Sequence, residues 1–166
     1  MRKSLTLTSN EYAPEVLYEM FRRSMEPYIN AARGTPWSEL RERTQFLEQL
    51  VPQSIQLVRI NNAVVAYIDL RMEGPCKNIH TFIVMPEHQS GGVGTAVMDL
   101  LKATSQCITL SVLKANSRAW AFYERNGFHE ASSSQHHRHL CWAPNRALDR
   151  TSGATGPQKS HARNHE

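Results

Sequence analysis

Ile79-His80-Thr81-Phe82-Ile83-Val84-Met85-Pro86-Glu87-His88-Gln89-Ser90-Gly91-Gly92-Val93-Gly94-Thr95-Ala96-Val97-Met98 decides the fold of this chain. An apolar, strand-like segment from Ile79 to Val84 runs into a glycine cluster, and a helical pattern (Val97, Met98, Leu100, Leu101) follows at once. The first N–H groups of a helix have no intrahelical partner, and the helix dipole favours negative charge at that end. Glycines remove the Cβ atoms that would hold a phosphate away from the backbone. Strand, glycine turn and helix start therefore predict a site for a phosphorylated ligand.

Two familiar phosphate loops do not fit. A P-loop requires Lys and then Ser or Thr after its last glycine, whereas Gly94 is followed by Thr95-Ala96. A dinucleotide fingerprint requires a third small residue, and Val97 stands in that place. What remains, Gln89-x-x-Gly92-x-Gly94 directly after a strand ending at Val84, resembles the acyl-CoA pyrophosphate loop of the GNAT superfamily of N-acetyltransferases. A second block, Asn116-Ser117-Arg118-Ala119-Trp120-Ala121-Phe122-Tyr123-Glu124-Arg125-Asn126-Gly127-Phe128, resembles that superfamily's N-x-x-A-x-x-F-Y-E-x-x-G-F and follows after one helix and one strand, in the family's order. The resemblance covers the segment from Ser54 to Trp142, and the N-terminal third agrees only in outline.

The resemblance implies an α/β fold with a mixed, mostly antiparallel central sheet, helices on both faces, and acetyl-CoA as cosubstrate. It assigns Gln89, Gly92 and Gly94 to the phosphate loop, with Gly91, Val93 and Thr95 contributing backbone N–H groups. Residue 91 is often basic in relatives and is glycine here, so phosphate binding is expected to rest on backbone donors. Val84 is expected to offer its N–H and C=O to the pantetheine amides as an added strand does. Backbone N–H groups around Phe82 and Ile83 are expected to polarise the thioester carbonyl.

Tyr123 is the family's candidate acid. A phenol with a pKa near 10 is protonated at neutral pH and can serve a departing thiolate. The plainer reading is core packing beside Ala119 and Phe122. Asn116, seven residues earlier, is expected to cap the helix, to contact the pantetheine arm, or both. For the general base, Asn78 occupies an offset where some relatives carry an acid; the resemblance instead points to His80, four residues before Val84, where some amine-acetylating relatives have histidine, and an imidazole titrates near neutrality. A lone strand histidine also has an ordinary structural reading, and Glu73, Glu26 and Asp69 remain open by composition. In the family the first two helices and their loop set acceptor choice. Here that is Tyr28 to Glu39, where Trp37 and Tyr28 could wall a pocket and Glu26 or Glu39 could draw a cationic amine.

The 166 residues are expected to form one domain over residues 1–143, followed by a flexible polar tail at 144–166. Four of the basic residues and two of the acids fall in that tail, leaving only +2 of the net +4 for the domain. That suits an anionic cofactor and is too weak to argue nucleic-acid binding, so no nucleic-acid partner is expected. Cys76, Cys107 and Cys141 are odd in number and lack metal or redox spacing, so they read as reduced thiols of a cytoplasmic protein. No apolar run suggests a membrane partner. His136-His137-Arg138-His139 places two imidazoles on one strand face, but no Cys or carboxylate at ligand spacing completes a metal site, so a solvent-facing strand is expected.

Along the chain the pattern predicts a strand at Leu5 to Thr8, a helix capped by Ser9 or Asn10, a loop from Asn30 to Gly34, and a helix starting at Thr35-Pro36. A hairpin about Asn61-Asn62, the strand to Val84, a helix from Gly92 to Ala103, a strand from Cys107 to Val112, a helix from Ser117 closed by Gly127, and two last strands follow. The expected activity is acetyl transfer from acetyl-CoA to a small-molecule primary amine by direct attack in a ternary complex, by a monomer or homodimer. A peptide or protein amine as acceptor, and a catalytically silent acyl-CoA-binding regulator, are the alternatives.

Overall fold

The computed structural model describes residues 4–144; most of the expected tail lies outside them. Strand β1 (Leu5–Ser9) precedes two helices, α1 (Pro14–Arg33) and α2 (Glu39–Gln49). Three strands follow, β2 (Ile55–Ile60), β3 (Ala63–Glu73) and β4 (Cys76–Val84), then α3 (Val93–Ala103), β5 (Ile108–Leu113), α4 (Ser117–Arg125), β6 (His129–Ser133) and β7 (His137–Trp142). The sheet runs β1-β2-β3-β4-β5-β7-β6. Its pairings are antiparallel except β4 with β5, so the mixed, mostly antiparallel sheet expected from the resemblance is what forms.

Local chemistry accounts for most element ends. Asn61 and Asn62 both take positive φ (50° and 68°), the geometry of a tight hairpin whose twist matches that of its strands. Asn10 does not cap α1. Its Oδ1 accepts the Tyr12 N–H at 2.9 Å, which holds it in a turn, and Pro14 starts the helix instead. The loop expected at Asn30 to Gly34 is helix as far as Arg33; Gly34 closes it at φ 66°, donating its N–H to the Asn30 carbonyl at 2.8 Å. Thr35-Pro36 likewise does not begin α2. Trp37 packs on Tyr18 and Phe21, with ring centroids 6.5 and 6.4 Å away, and Ser38 is the cap residue.

Two apolar clusters cover the two faces. Val93, Val97, Met98 and Leu101 of α3 pack on Ala66 and Ile68 of β3, in a cluster that also holds Tyr123 and Phe128. On the opposite face, Leu17 and Met20 of α1 pack on Leu57, Tyr67 and Ile83. Alternation along β3 separates the two sets, because successive strand residues point to opposite faces.

The reduced-thiol expectation is corrected for two of the three cysteines. Cys76 and Cys107 form a disulfide, with Cα atoms 4.7 Å apart. They are 31 positions apart in sequence and meet because the parallel register sets Lys77 beside Ile108, so the residues just before each stand side by side. Cys141 is the third cysteine, its Sγ 2.9 Å from His129 Nε2. Among the described residues no helix is long and apolar enough to cross a membrane.

Candidate active site

The parallel pairing of β4 with β5 covers only Lys77–Ile79 against Ile108–Leu110. Beyond it β4 continues to Val84, while β5 runs on to Leu113 paired with β7 alone. The two strands part and leave a gap. On its other edge β4 remains bonded to β3, and the bond from Met85 N–H to Val65 C=O (3.0 Å) fixes the alternation there. Directly opposed residues exchange bonds at every second position, so Met85 and Ile83 address β3 while Phe82 and Val84 turn their polar groups into the gap. This corrects the assignment of Ile83: its backbone serves the sheet, and its side chain is buried under α1.

At the open end of β4 the chain makes one 3₁₀ turn (Pro86–His88) and then the glycine loop. Gly92 caps α3 at φ 81°, in the left-handed region that favours glycine. The first helical bond runs from Ala96 N–H to Gly92 C=O at 3.0 Å, so the N–H groups of Val93, Gly94 and Thr95 precede it and lack intrahelical acceptors. Gly94 is needed for a different reason. A Cβ there would sit 2.8 Å from Cε2 and Cζ of Phe122, so α4 packs directly on the start of α3.

Gln89 behaves differently from its expected role. Its Nε2 donates to the Val84 carbonyl at 2.9 Å, tying the loop to the end of β4. The C=O that was expected to meet the pantetheine arm already has a partner, which leaves the Val84 N–H and the Phe82 groups. A residue outside the sequence expectations also reaches the loop: Arg118 of α4 donates from Nη2 to Ser90 Oγ at 2.9 Å. It brings a guanidinium to the loop whose position 91 is glycine. Its place two residues after Asn116 carried no signal by itself, since only the packing of α4 on α3 sets it beside Ser90.

A cavity of about 610 Å³ opens beside the gap, within the size range of small-molecule sites. His80, Phe82, Asn116 and Tyr123 line it. Asn116 is the N-cap of α4, accepting the Ala119 N–H at 3.0 Å, and is almost wholly buried. Tyr123 is 8% exposed, and burial pushes its phenol well above the ordinary value. The pKa of His80 is lowered, first by desolvation and then by the Arg71 guanidinium, against the pull of Asp69 and Glu73. Asn78 donates to Thr109 Oγ1 at 3.1 Å, joining the last paired part of the wedge.

Several expectations about the acceptor side change. Neither Tyr28 nor Trp37 lines the cavity; Phe21, Met25 and Ile29 of α1, Phe46 of α2 and Leu50 just after it do. Glu26 and Glu39 share one cation, Arg22, at 3.3 and 3.7 Å. The histidine strand is not simply solvent-facing, since His136 and His137 line the cavity and burial lowers the pKa of His137. His139 Nδ1 lies 2.8 Å from Ser111 Oγ. Among the described residues no group of three or more His, Cys, Asp or Glu could hold a metal ion.

A strand gap with free backbone groups, leading to a helix start with free N–H donors, fits an extended amide-bearing arm that ends in a pyrophosphate. The profile of the acetyltransferase (GNAT) family matches residues 15–128, and the chain belongs to that family. Its cosubstrate is acetyl-CoA. An acetyltransferase from Thermus thermophilus superposes with a TM-score of 0.64 at 20% identity, over 84% of this chain and 97% of that one. The PaiA N-acetyltransferase from Thermoplasma acidophilum, solved in complex with coenzyme A, gives 0.63 at 15% identity, over 84% and 99%. The ribosomal-protein-S18-alanine N-acetyltransferase from Escherichia coli gives 0.58 at 20% identity, over 89% and 98%. At such identities the likeness is one of fold. No curated protein matches the chain.

Proposed function

We propose that the protein moves the acetyl group of acetyl-CoA to the primary amine of a small molecule, by direct attack in a ternary complex. The observation that carries this reading is the cavity of about 610 Å³ beside the β4–β5 gap, with His80 and Tyr123 both on its wall. Acetyl-CoA supplies an activated carbonyl whose sulfur departs as a thiolate. The N–H groups of Phe82 and Val84, turned into the gap, serve as donors to the pantetheine amides and the thioester carbonyl. His80, held neutral by its lowered pKa, accepts the proton that the amine loses as its C–N bond forms. Tyr123 faces the departing sulfur. Its raised pKa keeps it protonated, so it acts first as a hydrogen-bond donor to the thiolate.

The test is release of the CoA thiol from acetyl-CoA across a panel of amines, with the native protein and Tyr123→Phe. Turnover with a small amine, with kcat lowered on the order of a hundredfold in the variant, is the expected result. Native-like turnover in Tyr123→Phe would remove that residue's role and leave the transfer itself standing. Release with short peptides and no small amine would move the assignment to a peptide acceptor, in line with what the Escherichia coli neighbour's name says of that protein.

A further inference from the structure

The acceptor side of the cavity is apolar in its walls and electrically balanced in its acids. Phe21, Met25 and Ile29 face it from α1, Phe46 from α2 and Leu50 from the residue that follows α2; the charged residues those helices add are Arg33 and Glu42. Two buried carboxylates also border it, Glu42 and Asp69, and each is neutralised in place. Glu42 Oε1 receives Arg33 Nη1 at 2.5 Å and Arg41 Nε at 2.9 Å. Asp69 takes Arg71 at 2.7 Å through Oδ2 and at 3.1 Å through Oδ1, and Oδ1 also accepts the Ser54 hydroxyl at 2.5 Å. A second cation entering here would displace an arginine already in place, and breaking a buried ion pair is costly.

Of the buried side-chain polar atoms without a partner among the described residues, one belongs to a residue that lines the cavity. Tyr67 lines the cavity, and its buried hydroxyl makes no hydrogen bond among the described residues. Leaving a buried hydroxyl unpaired is unfavourable, so a ligand group that completes it gains from the contact. Tyr67 stands opposite Ile83 on β4, beside Phe82 and Val84, the residues whose polar groups enter the gap.

Resting on the acetyl-transfer reading above, we propose that the acceptor is a monoamine carried on an apolar body, aromatic or branched aliphatic, and that the Tyr67 hydroxyl hydrogen-bonds it. The apolar body lies between α1, α2 and the sheet, with the amine at the Tyr67–His80 end. Polyamines and aminoglycosides are poor acceptors, because no unpaired acid in this part of the cavity receives their further charges. Tyr67 is a specificity-determining residue under this proposal and takes no proton in the transfer.

The experiment measures kcat/KM by CoA release for 2-phenylethylamine, 3-methylbutylamine, spermidine and kanamycin, with native protein and Tyr67→Phe. The two apolar monoamines are expected to exceed spermidine and kanamycin by tenfold or more. Tyr67→Phe is expected to raise KM for 2-phenylethylamine about tenfold, the loss of one hydrogen bond, with calorimetric affinity for acetyl-CoA unchanged. Its melting temperature should not fall, since the variant removes an unpaired group. Spermidine or kanamycin matching the apolar amines overturns the proposal and leaves the acetyltransferase reading intact. So does an unchanged KM in Tyr67→Phe. If acetyl-CoA neither binds nor yields thiol with any amine, the broader reading falls and takes this one with it.

Discussion

Cys76 and Cys107 are joined by a disulfide at the closed end of the wedge whose open end is the gap beside the cavity. The bond lies one residue before the three parallel pairs of β4 and β5, and the strands separate three residues later. Closing a loop of this length restricts the unfolded chain, by roughly 3–4 kcal/mol on the chain-entropy account. A thiol reductant that leaves the native fold otherwise untouched should therefore lower the melting temperature by roughly 10 °C. Calorimetry with and without reductant, and on a Cys76→Ser/Cys107→Ser double variant, measures it. Identical melting temperatures in all three samples would show that the bond contributes nothing to stability.

Gly94 and Gly92 should fail differently when replaced by alanine. At Gly94 the new methyl meets the Phe122 ring, so α4 must shift from α3, at a cost of about 1–3 kcal/mol. At Gly92 nothing stands within 4 Å of the new atom, and only the left-handed φ is strained, by roughly 1–2 kcal/mol. Gly94→Ala is expected to lower both stability and acetyl-CoA affinity, with Phe122→Leu, a smaller partner, restoring part of each. Gly92→Ala should show no such rescue. Thermal shifts with and without acetyl-CoA on the four proteins read the difference.

Arg118 holds its guanidinium against Ser90, beside the loop in which residue 91 is glycine. Replacing it with alanine is expected to weaken acetyl-CoA binding roughly three- to tenfold, the worth of a partly exposed charge-assisted contact. The deficit should shrink as salt is raised, because exposed charges are screened. Titration calorimetry at two ionic strengths checks both parts, and a salt-independent deficit would point to lost packing instead.

The kcat/KM profile against pH carries the signature of His80. Its folded pKa lies below the usual histidine value near 6.5, so the neutral, proton-accepting form already predominates at pH 6.5 and is lost only as pH falls further. Activity should rise with pH through an acidic limb centred below that value. His80→Gln should remove the limb and lower the plateau on the order of a hundredfold. An acidic limb that persists in His80→Gln assigns the base elsewhere, with His137, also on the cavity wall, the next to replace.

Local chemistry already determined a good deal of this protein. Gly92 at the start of α3, Asn61-Asn62 in a tight turn, Asn116 as a cap and Gly127 after α4 are all choices that a few neighbouring residues force, and they read correctly from the order of residues alone. The strand–glycine–helix stretch and the Asn116–Phe128 block likewise carry the family, because a phosphate loop and a helix start are built from consecutive residues. The limits of α1 and α2 read less well. There Asn10 bonds Tyr12 instead of capping, and Trp37 packs on Tyr18 and Phe21 instead of joining the helix. What only the tertiary structure decided are the meetings across the sheet and between helices. These include the Cys76–Cys107 bond, the turn of Ile83 toward β3, Arg118 on Ser90, and the arginine-paired acids of the cavity that Tyr67 also lines. Each depends on register or packing between segments far apart in sequence, and residue order does not encode that separately from the fold.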